Sequence, residues 1–137
     1  MDHTSNLRRG RRCVLLLHTH LVFVAKYRSP IFSKERLTSM KKIFEKVCVD
    51  FEVVLTEFNG EKDHVHLLLN YPAKVAVSKL VNSLKGVSSR MLKQYHLDIK
   101  KHYWNGALWS PSYFAGSCGG VPLNVMRKYI EKQLTPN

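Results

Sequence analysis

The chain has 137 residues and a formal charge of +12, because 22 Lys and Arg residues stand against 10 Asp and Glu residues. Its length corresponds to one domain, and a hydrophobic content of 45% is ordinary for a folded core, which disfavours intrinsic disorder and a multidomain design. A pI near 9.9 favours a polyanionic partner, either nucleic acid or an anionic membrane surface.

The three cysteines are widely spaced and form no CxxC pair. The sequence therefore predicts neither a disulfide framework nor a thiolate zinc site, and a reducing cytoplasm fits best. A basic stretch at 8–12 before an apolar run at 13–25 imitates a signal peptide, but His18 and His20 interrupt the run. About 13 residues are too few to span a bilayer as a helix. We therefore expect a buried strand, no membrane partner, a basic tail at 1–12 and a single domain at 13–137.

Hydrophobic periodicity predicts seven elements in the order β-α-β-β-α-β-α. They are a strand at 13–27, a helix from Ser33 to about Asp50, strands at 53–58 and 64–69, a basic helix over 77–93, a short strand at 112–118 and a final helix opened by Pro122. Asn59-Gly60 is the predicted hairpin turn, and Asn70-Tyr71-Pro72 is predicted to end the third strand. The first six elements are those of the ferredoxin-like (RRM-like) split βαβ fold, an α+β fold with two helices on one face of an antiparallel sheet.

The most informative polar motif is His64-x-His66 on the predicted third strand. Because side chains alternate along a strand, both imidazoles are expected on one face of the sheet, where they can share a cation. Glu61 and Asp63 precede the pair at the hairpin, where a carboxylate could bind a hard cation or orient an imidazole from behind. Which of these two acids approaches a metal stays open. His-x-His by itself is a weak motif.

A second pair, His18 and His20, has the same geometry on the first predicted strand. No acid lies within the ten residues before it, and the surrounding strand is apolar. We therefore expect these two histidines to pack or to form hydrogen bonds rather than to bind a metal.

Tyr129 and Gln133 lie four residues apart on the final helix, so they share one helical face. A tyrosine at such spacing is usually a packing residue. A phenolic hydroxyl beside a histidine metal site is, however, suited to covalent catalysis on a phosphodiester.

Several sequence blocks occur together in one order along the chain. They are THLVF at 19–23 with KYR at 26–28, DHVHLL at 63–68, KGVSSR at 85–90, LWSPSYF at 108–114 and KYIEKQ at 128–133. These blocks resemble the small single-tyrosine HUH transposases of the insertion-sequence 200/605 type. The resemblance covers about residues 13–133, and the blocks are jointly specific, whereas the His-x-His motif alone is not.

The resemblance implies a homodimeric DNA strand transferase and endonuclease that cuts and rejoins single-stranded DNA beside imperfect hairpins, through a transient 5′-phosphotyrosine. His64 and His66 match the family's metal-binding pair, Tyr129 its nucleophile, and Gln133 its metal ligand from the tyrosine helix. The expected cofactor is a divalent metal, Mg²⁺ or Mn²⁺. Each active site is expected to combine the histidines of one subunit with the tyrosine helix of the other.

Contact with DNA is predicted for basic and aromatic residues around the sheet and the second helix. The basic candidates are Lys26, Arg28, Lys85, Arg90 and Lys93, with Arg8, Arg9, Arg11 and Arg12 in the tail. Trp109, Tyr113 and Phe114 are candidates for stacking on unpaired bases, although packing is the commoner role of such side chains.

Two other functions fit parts of the same pattern. A non-catalytic RRM-like nucleic-acid-binding module would use the open face of the sheet. An RRM favours aromatic residues on its central strands, however, where this chain has His64 and His66. A HUH nuclease of replication initiation or conjugation is disfavoured, because such catalytic domains are generally longer.

Overall fold

The structure is a computed structural model that describes residues 16–103, 107–117 and 123–133. Its elements are β1 (Leu16–Val24), a 3-10 turn (Lys26–Arg28), α1 (Lys34–Asp50), β2 (Val54–Gly60), β3 (His64–Pro72), α2 (Val77–Tyr95), a 3-10 segment (Leu97–His102), β4 (Phe114–Ser117) and α3 (Leu123–Glu131). The predicted order of helices and strands is confirmed. The predicted tail at 1–12 lies outside the described residues.

The four strands form one antiparallel sheet in the order β2-β3-β1-β4. This arrangement confirms the ferredoxin-like, RRM-like prediction, and it places β3 and β1 at the centre. Along β3 the side chains alternate as predicted, with Val65 and Leu67 buried under the helices and His64 and His66 half-buried on the opposite face. The histidine pair, His64 and His66, therefore lies on the open face of the sheet, at the hairpin end of a central strand.

Helices α1 and α2 pack together over the other face of the sheet and enclose the main core. Met40, Phe44 and Val47 recur at three- and four-residue spacing on α1, and Leu80 and Leu84 do the same on α2. Ser33 is the N-cap of α1, because its hydroxyl accepts a hydrogen bond from the Arg36 backbone N–H, and the helix begins at Lys34, next to the predicted start. No helix in the ranges given above is long and apolar enough to cross a membrane.

β1 ends at Val24 and not at the predicted Tyr27. The backbone then turns through Tyr27 and Arg28, whose φ angles of 59° and 54° lie in the left-handed region. Such a conformation costs a residue other than glycine about 1–3 kcal/mol and persists only where the surrounding structure holds it. Here a hydrogen bond from Ala25 N to Asp63 O, at 2.8 Å, ties the start of the turn to the β2–β3 hairpin.

Two predicted turn signals belong to strands. Gly60 is the last residue of β2, and the side chain of Leu37 from α1 occupies the place where a Cβ at Gly60 would lie. Glycine is therefore needed there for the close approach of α1, and the turn itself follows at 61–63. β3 continues through Tyr71, because its ring is buried and its hydroxyl forms a 2.7 Å hydrogen bond with Thr19 Oγ1.

Candidate active site

The histidine pair lies at the mouth of a cavity of about 720 Å³ on the open face of the sheet. The two ring centroids are 5.0 Å apart. The β2–β3 hairpin and the 3-10 turn contribute Glu61, Asp63 and Arg28 to the cavity, and α3 contributes Arg127 and Ile130. The helix that carries Tyr129 is thus one wall of the cavity that contains the histidines.

Asp63 lies behind His64. Its Oδ1 is 2.7 Å from His64 Nδ1, and its Oδ2 accepts a 3.2 Å hydrogen bond from Arg28 Nε. A carboxylate at Nδ1 favours a proton on that nitrogen and leaves the Nε2 lone pair for a metal. Of the two acids left open by the sequence, Asp63 has the geometry of a residue that orients an imidazole, while Glu61 is exposed at the cavity.

His66 has a different partner, His20 of β1. His20 Nε2 lies 3.1 Å from His66 Nδ1. Burial, with His64 and His20 nearby, lowers the pKa of His66 to about 4, so its imidazole is neutral at pH 7. Burial also lowers the pKa of His20, and the carboxylate of Glu57 opposes that shift.

The hydrogen bond between His20 and His66 was not among the contacts predicted from the sequence. The available signal was the pair of His-x-His motifs on two strands that become neighbours in this fold. In the observed register His66 pairs with Val22, which places His20 at the diagonal position on the same face. The sequence predicted that His20 would pack or form a hydrogen bond, and in the structure it forms a hydrogen bond.

The donor atoms available to a cation are the Nε2 atoms of the histidine pair, since both Nδ1 atoms have partners within the protein. Two neutral nitrogen ligands suit a divalent cation that keeps open positions for water and phosphate oxygens. Within the part of the chain that the structure describes, no group of three or more His, Cys, Asp or Glu side chains is placed to hold a metal ion.

Tyr129 is docked on the sheet of its own chain. Its ring packs against Val22 and Val24 and lies 5.7 Å from the ring of Phe114. Its hydroxyl is 3.0 Å from Ser112 Oγ. Burial raises the pKa of Tyr129, and the hydrogen bond with Ser112 lowers it by a smaller amount. In this position the phenol keeps its proton at neutral pH.

Gln133 lies two residues beyond the end of α3 at Glu131 and not on the helix as predicted, but its side chain still contacts Tyr129. Its Oε1 accepts hydrogen bonds from Ser110 Oγ at 2.9 Å and Ser112 Oγ at 3.4 Å, and its Nε2 donates to Tyr129 O at 3.2 Å. These bonds, together with the bond between Ser112 and Tyr129, are called the serine contact below. The serine contact engages both the predicted nucleophile and the predicted amide ligand. Gln133 and the two serines also line a second cavity of about 340 Å³, together with Lys26 and Lys132.

Lys85 supports the serine contact from beneath. Its Nζ donates to Ser110 O and Ser112 O, both at 2.8 Å, and lies 5.6 Å from the ring centroids of Phe23 and Tyr113. Burial lowers the pKa of Lys85 to about 8. Lys85 therefore has a structural role, because its ammonium fixes the backbone that presents the two serines. Its contact with DNA stays a prediction.

Trp109 is also a structural residue. Its side chain is 6% exposed, its indole N–H donates to Ser88 Oγ at 3.0 Å, and its ring packs against Phe23 and Phe32. Of the two roles considered for Trp109, packing and stacking on bases, the structure shows packing, because the ring fills the core. Phe114 likewise packs on Tyr129.

The other basic candidates have varied surroundings. Arg28 is bound to Asp63, Arg90 is exposed, and Lys26 and Lys93 lie over the rings of nearby tyrosines. The arginines at 8–12 lie outside the described residues. Contact of these residues with DNA stays a prediction.

Comparison with known proteins relates this site to a family. The family model described as "Transposase IS200 like" matches residues 13–133. The chain is 31% identical to the ISDra2 transposase TnpA of Deinococcus radiodurans over 127 residues, which cover 93% of this chain and 91% of that protein. It is 35% identical to the transposase for insertion sequence element IS200 of Salmonella typhimurium over 115 residues, or 84% of this chain and 75% of that protein.

Solved structures show the same relation. A crystal structure of a Deinococcus radiodurans protein assigned as a transposase has a TM-score of 0.83 and 28% identity, and the match covers 90% of this chain and 95% of that one. A REP-associated tyrosine transposase bound to a REP hairpin matches with a TM-score of 0.55 and 13% identity, over 90% of this chain and 68% of that one, and this likeness concerns the fold alone. Because the sequence matches span nearly the whole chain, the protein belongs to the family of IS200-like transposases.

Proposed function

We propose that this transposase cleaves and rejoins single-stranded DNA through a 5′-phosphotyrosine at Tyr129, with Mg²⁺ or Mn²⁺ held by the histidine pair. The supporting observation is the pairing of both Nδ1 atoms, His64 with Asp63 and His66 with His20. With both Nδ1 atoms engaged, a cation beside the helix that carries the tyrosine would bind to the two Nε2 atoms.

When bound, the cation supplies positive charge that polarises the scissile phosphate and stabilises the charge that develops on it. Tyr129 loses its phenolic proton, and its oxygen forms a bond to phosphorus. The bond between phosphorus and the 3′ oxygen breaks, and that oxygen takes up a proton and leaves as a 3′-hydroxyl. Because the phosphotyrosine bond conserves the energy of the phosphodiester, a second 3′-hydroxyl can reverse the step without ATP.

In the docked position, the serine contact engages both Tyr129 and Gln133. We therefore expect α3 to change position before the reaction. Burial raises the pKa of Tyr129, so the docked phenol is a weak nucleophile. Gln133, the remaining amide candidate for the metal, is bound to Ser110 and Ser112. We propose that α3 leaves these serines when DNA binds and joins the histidine pair of a second subunit in a homodimer.

We propose binding of DNA hairpins on two grounds, the positive charge of the chain and its structural similarity to a hairpin-binding protein. A formal charge of +12 suits a protein that neutralises several phosphates, and phosphate contacts supply most of the affinity of such proteins. A protein of the same fold has been solved bound to a REP hairpin. Lys26, Arg90 and Lys93 are the described candidates for these contacts.

The test is formation of a covalent adduct. Labelled single strands that carry the sequences flanking the gene, hairpins included, are incubated with the protein and Mg²⁺, Mn²⁺ or EDTA. We expect a band that migrates with the protein on a denaturing gel, requires the cation and disappears with protease. Hairpin binding with no adduct on any flanking strand would instead favour the non-catalytic module.

A further inference from the structure

His20 is close enough to His66, one of the proposed metal ligands, to determine which ring nitrogen of His66 carries the proton. Its Nε2 lies 3.1 Å from His66 Nδ1, and the two ring centroids are 5.2 Å apart. A nitrogen–nitrogen contact of this length is a hydrogen bond, so one ring donates a proton and the other accepts it. Which ring donates decides where the proton of His66 lies.

The two directions of this hydrogen bond have opposite consequences. If His20 Nε2 donates, the neutral His66 ring carries its proton on Nε2, and that atom has no lone pair for a cation. If His20 Nε2 accepts, His66 holds its proton on Nδ1 and its Nε2 has a free lone pair. Only the second direction is compatible with the metal role of His66.

We infer that His20 is a positioning residue, which accepts the Nδ1 proton of His66 and so keeps His66 Nε2 free and oriented toward the cation. The inference rests on the proposed metal role of the histidine pair. It gives that pair two partners of unlike chemistry, a carboxylate for His64 and a neutral imidazole for His66.

The sheet holds His20 in place for this task. His20 lies on β1 between two paired strands, opposite Leu68 of β3 and Gly116 of β4. Its backbone is therefore fixed on both sides, and its ring reaches His66 from the diagonal position. His18 lies on the same face of β1 two residues away, is exposed and stands opposite Asn70. It offers a matched control on the same strand.

The test compares Mn²⁺ affinity of the full chain without DNA, measured by titration calorimetry, among three variants. His20→Leu removes the acceptor, and we expect affinity to fall about 10–100-fold, the usual effect of losing a residue that orients a metal-bound histidine. His20→Gln restores an acceptor oxygen, and we expect affinity within a few-fold of wild type. His18→Leu should bind as wild type does.

A second readout needs no metal. Ring-nitrogen NMR of the metal-free protein should show the His66 proton on Nδ1 in the wild type and a shift of the proton toward Nε2 in His20→Leu. A wild-type His66 protonated on Nε2 would overturn the inference. The inference would also be overturned if His20→Leu bound Mn²⁺ with unchanged affinity while His64→Ala had lost Mn²⁺ binding. Failure of the wild type itself to bind Mn²⁺ would contradict the proposed metal centre, and the ring nitrogens would still report on the His20 contact.

Discussion

The histidine side and the tyrosine side of this site are built in different ways. The histidine pair lies on β3, a central strand with backbone hydrogen bonds to β1 and β2. Tyr129 lies on a helix of nine residues that reaches the sheet through a small apolar patch and the serine contact. A few hydrogen bonds of about 1 kcal/mol each are far easier to exchange than a strand in the middle of a sheet. The histidine side is therefore preformed, and the tyrosine side is the part that can move.

The largest expected effect follows from removing the nucleophile. Tyr129→Phe should reduce adduct formation by more than about a thousandfold, because no other group in the proposed reaction replaces the phenol oxygen. The ring still packs on Val22 and Val24, so folding and hairpin affinity should be kept. Adduct yield on denaturing gels measures the loss, with the exposed Tyr95→Phe as control. An undiminished adduct in Tyr129→Phe would assign the nucleophile elsewhere.

The histidine side is tested by His64→Ala and His66→Ala. Each should abolish cleavage and leave hairpin affinity within a few-fold, because Lys and Arg contacts to phosphates supply most of the binding free energy. Cleavage assays and filter binding on the same preparations separate the two properties, and His18→Ala serves as control. Loss of hairpin binding in step with cleavage, in folded protein, would mean that the histidines bind DNA.

Variants of the two acids at the hairpin, Asp63 and Glu61, test how the histidine side would hold a cation. Asp63→Ala should weaken Mn²⁺ affinity about 10–100-fold, because His64 loses the carboxylate that orients it. Glu61→Ala, with an exposed side chain on the same hairpin, should change affinity only a few-fold. Titration calorimetry gives both values. The reverse order would identify Glu61 as the ligand and would leave Asp63 with the pairing to Arg28 alone.

The smallest expected effect concerns the serine contact. Ser112→Ala removes the hydrogen bond to Tyr129, and it should weaken docking of α3 by about 1 kcal/mol, which corresponds to an equilibrium constant for opening about fivefold larger. Hydrogen exchange of the α3 amides measures this, with the exposed Ser117→Ala as control. Unchanged exchange in Ser112→Ala would show that apolar packing alone holds the helix.

The sequence predicts the fold well, because each element carries its own periodicity. The alternation along β3 predicts the shared face of His64 and His66. The four-residue spacing predicts the proximity of Tyr129 and Gln133, although α3 ends two residues before Gln133. The end of β1 was misplaced because the left-handed turn at Tyr27 depends on backbone bonds to the distant hairpin. Local sequence carries no signal for such bonds.

The partners of the site residues were harder to predict than the residues themselves. His20 meets His66 only once β1 and β3 are neighbours in a fixed register. Lys85 has the charge of a DNA contact, and only the fold places its ammonium between two carbonyl oxygens. Trp109 has the ring of a stacking platform, and only the fold buries it in the core.

The central claim is that a preformed histidine side in one subunit works with a mobile tyrosine side from another. The direct measurement mixes Tyr129→Phe and His64→Ala chains, lets them exchange into verified heterodimers and follows adduct formation on single-stranded substrate. Sharing across the dimer restores one intact site per heterodimer, so an equal mixture should recover roughly a quarter of wild-type activity. Heterodimers that stay as inactive as either parent would contradict the account, because every site would then contain one defect.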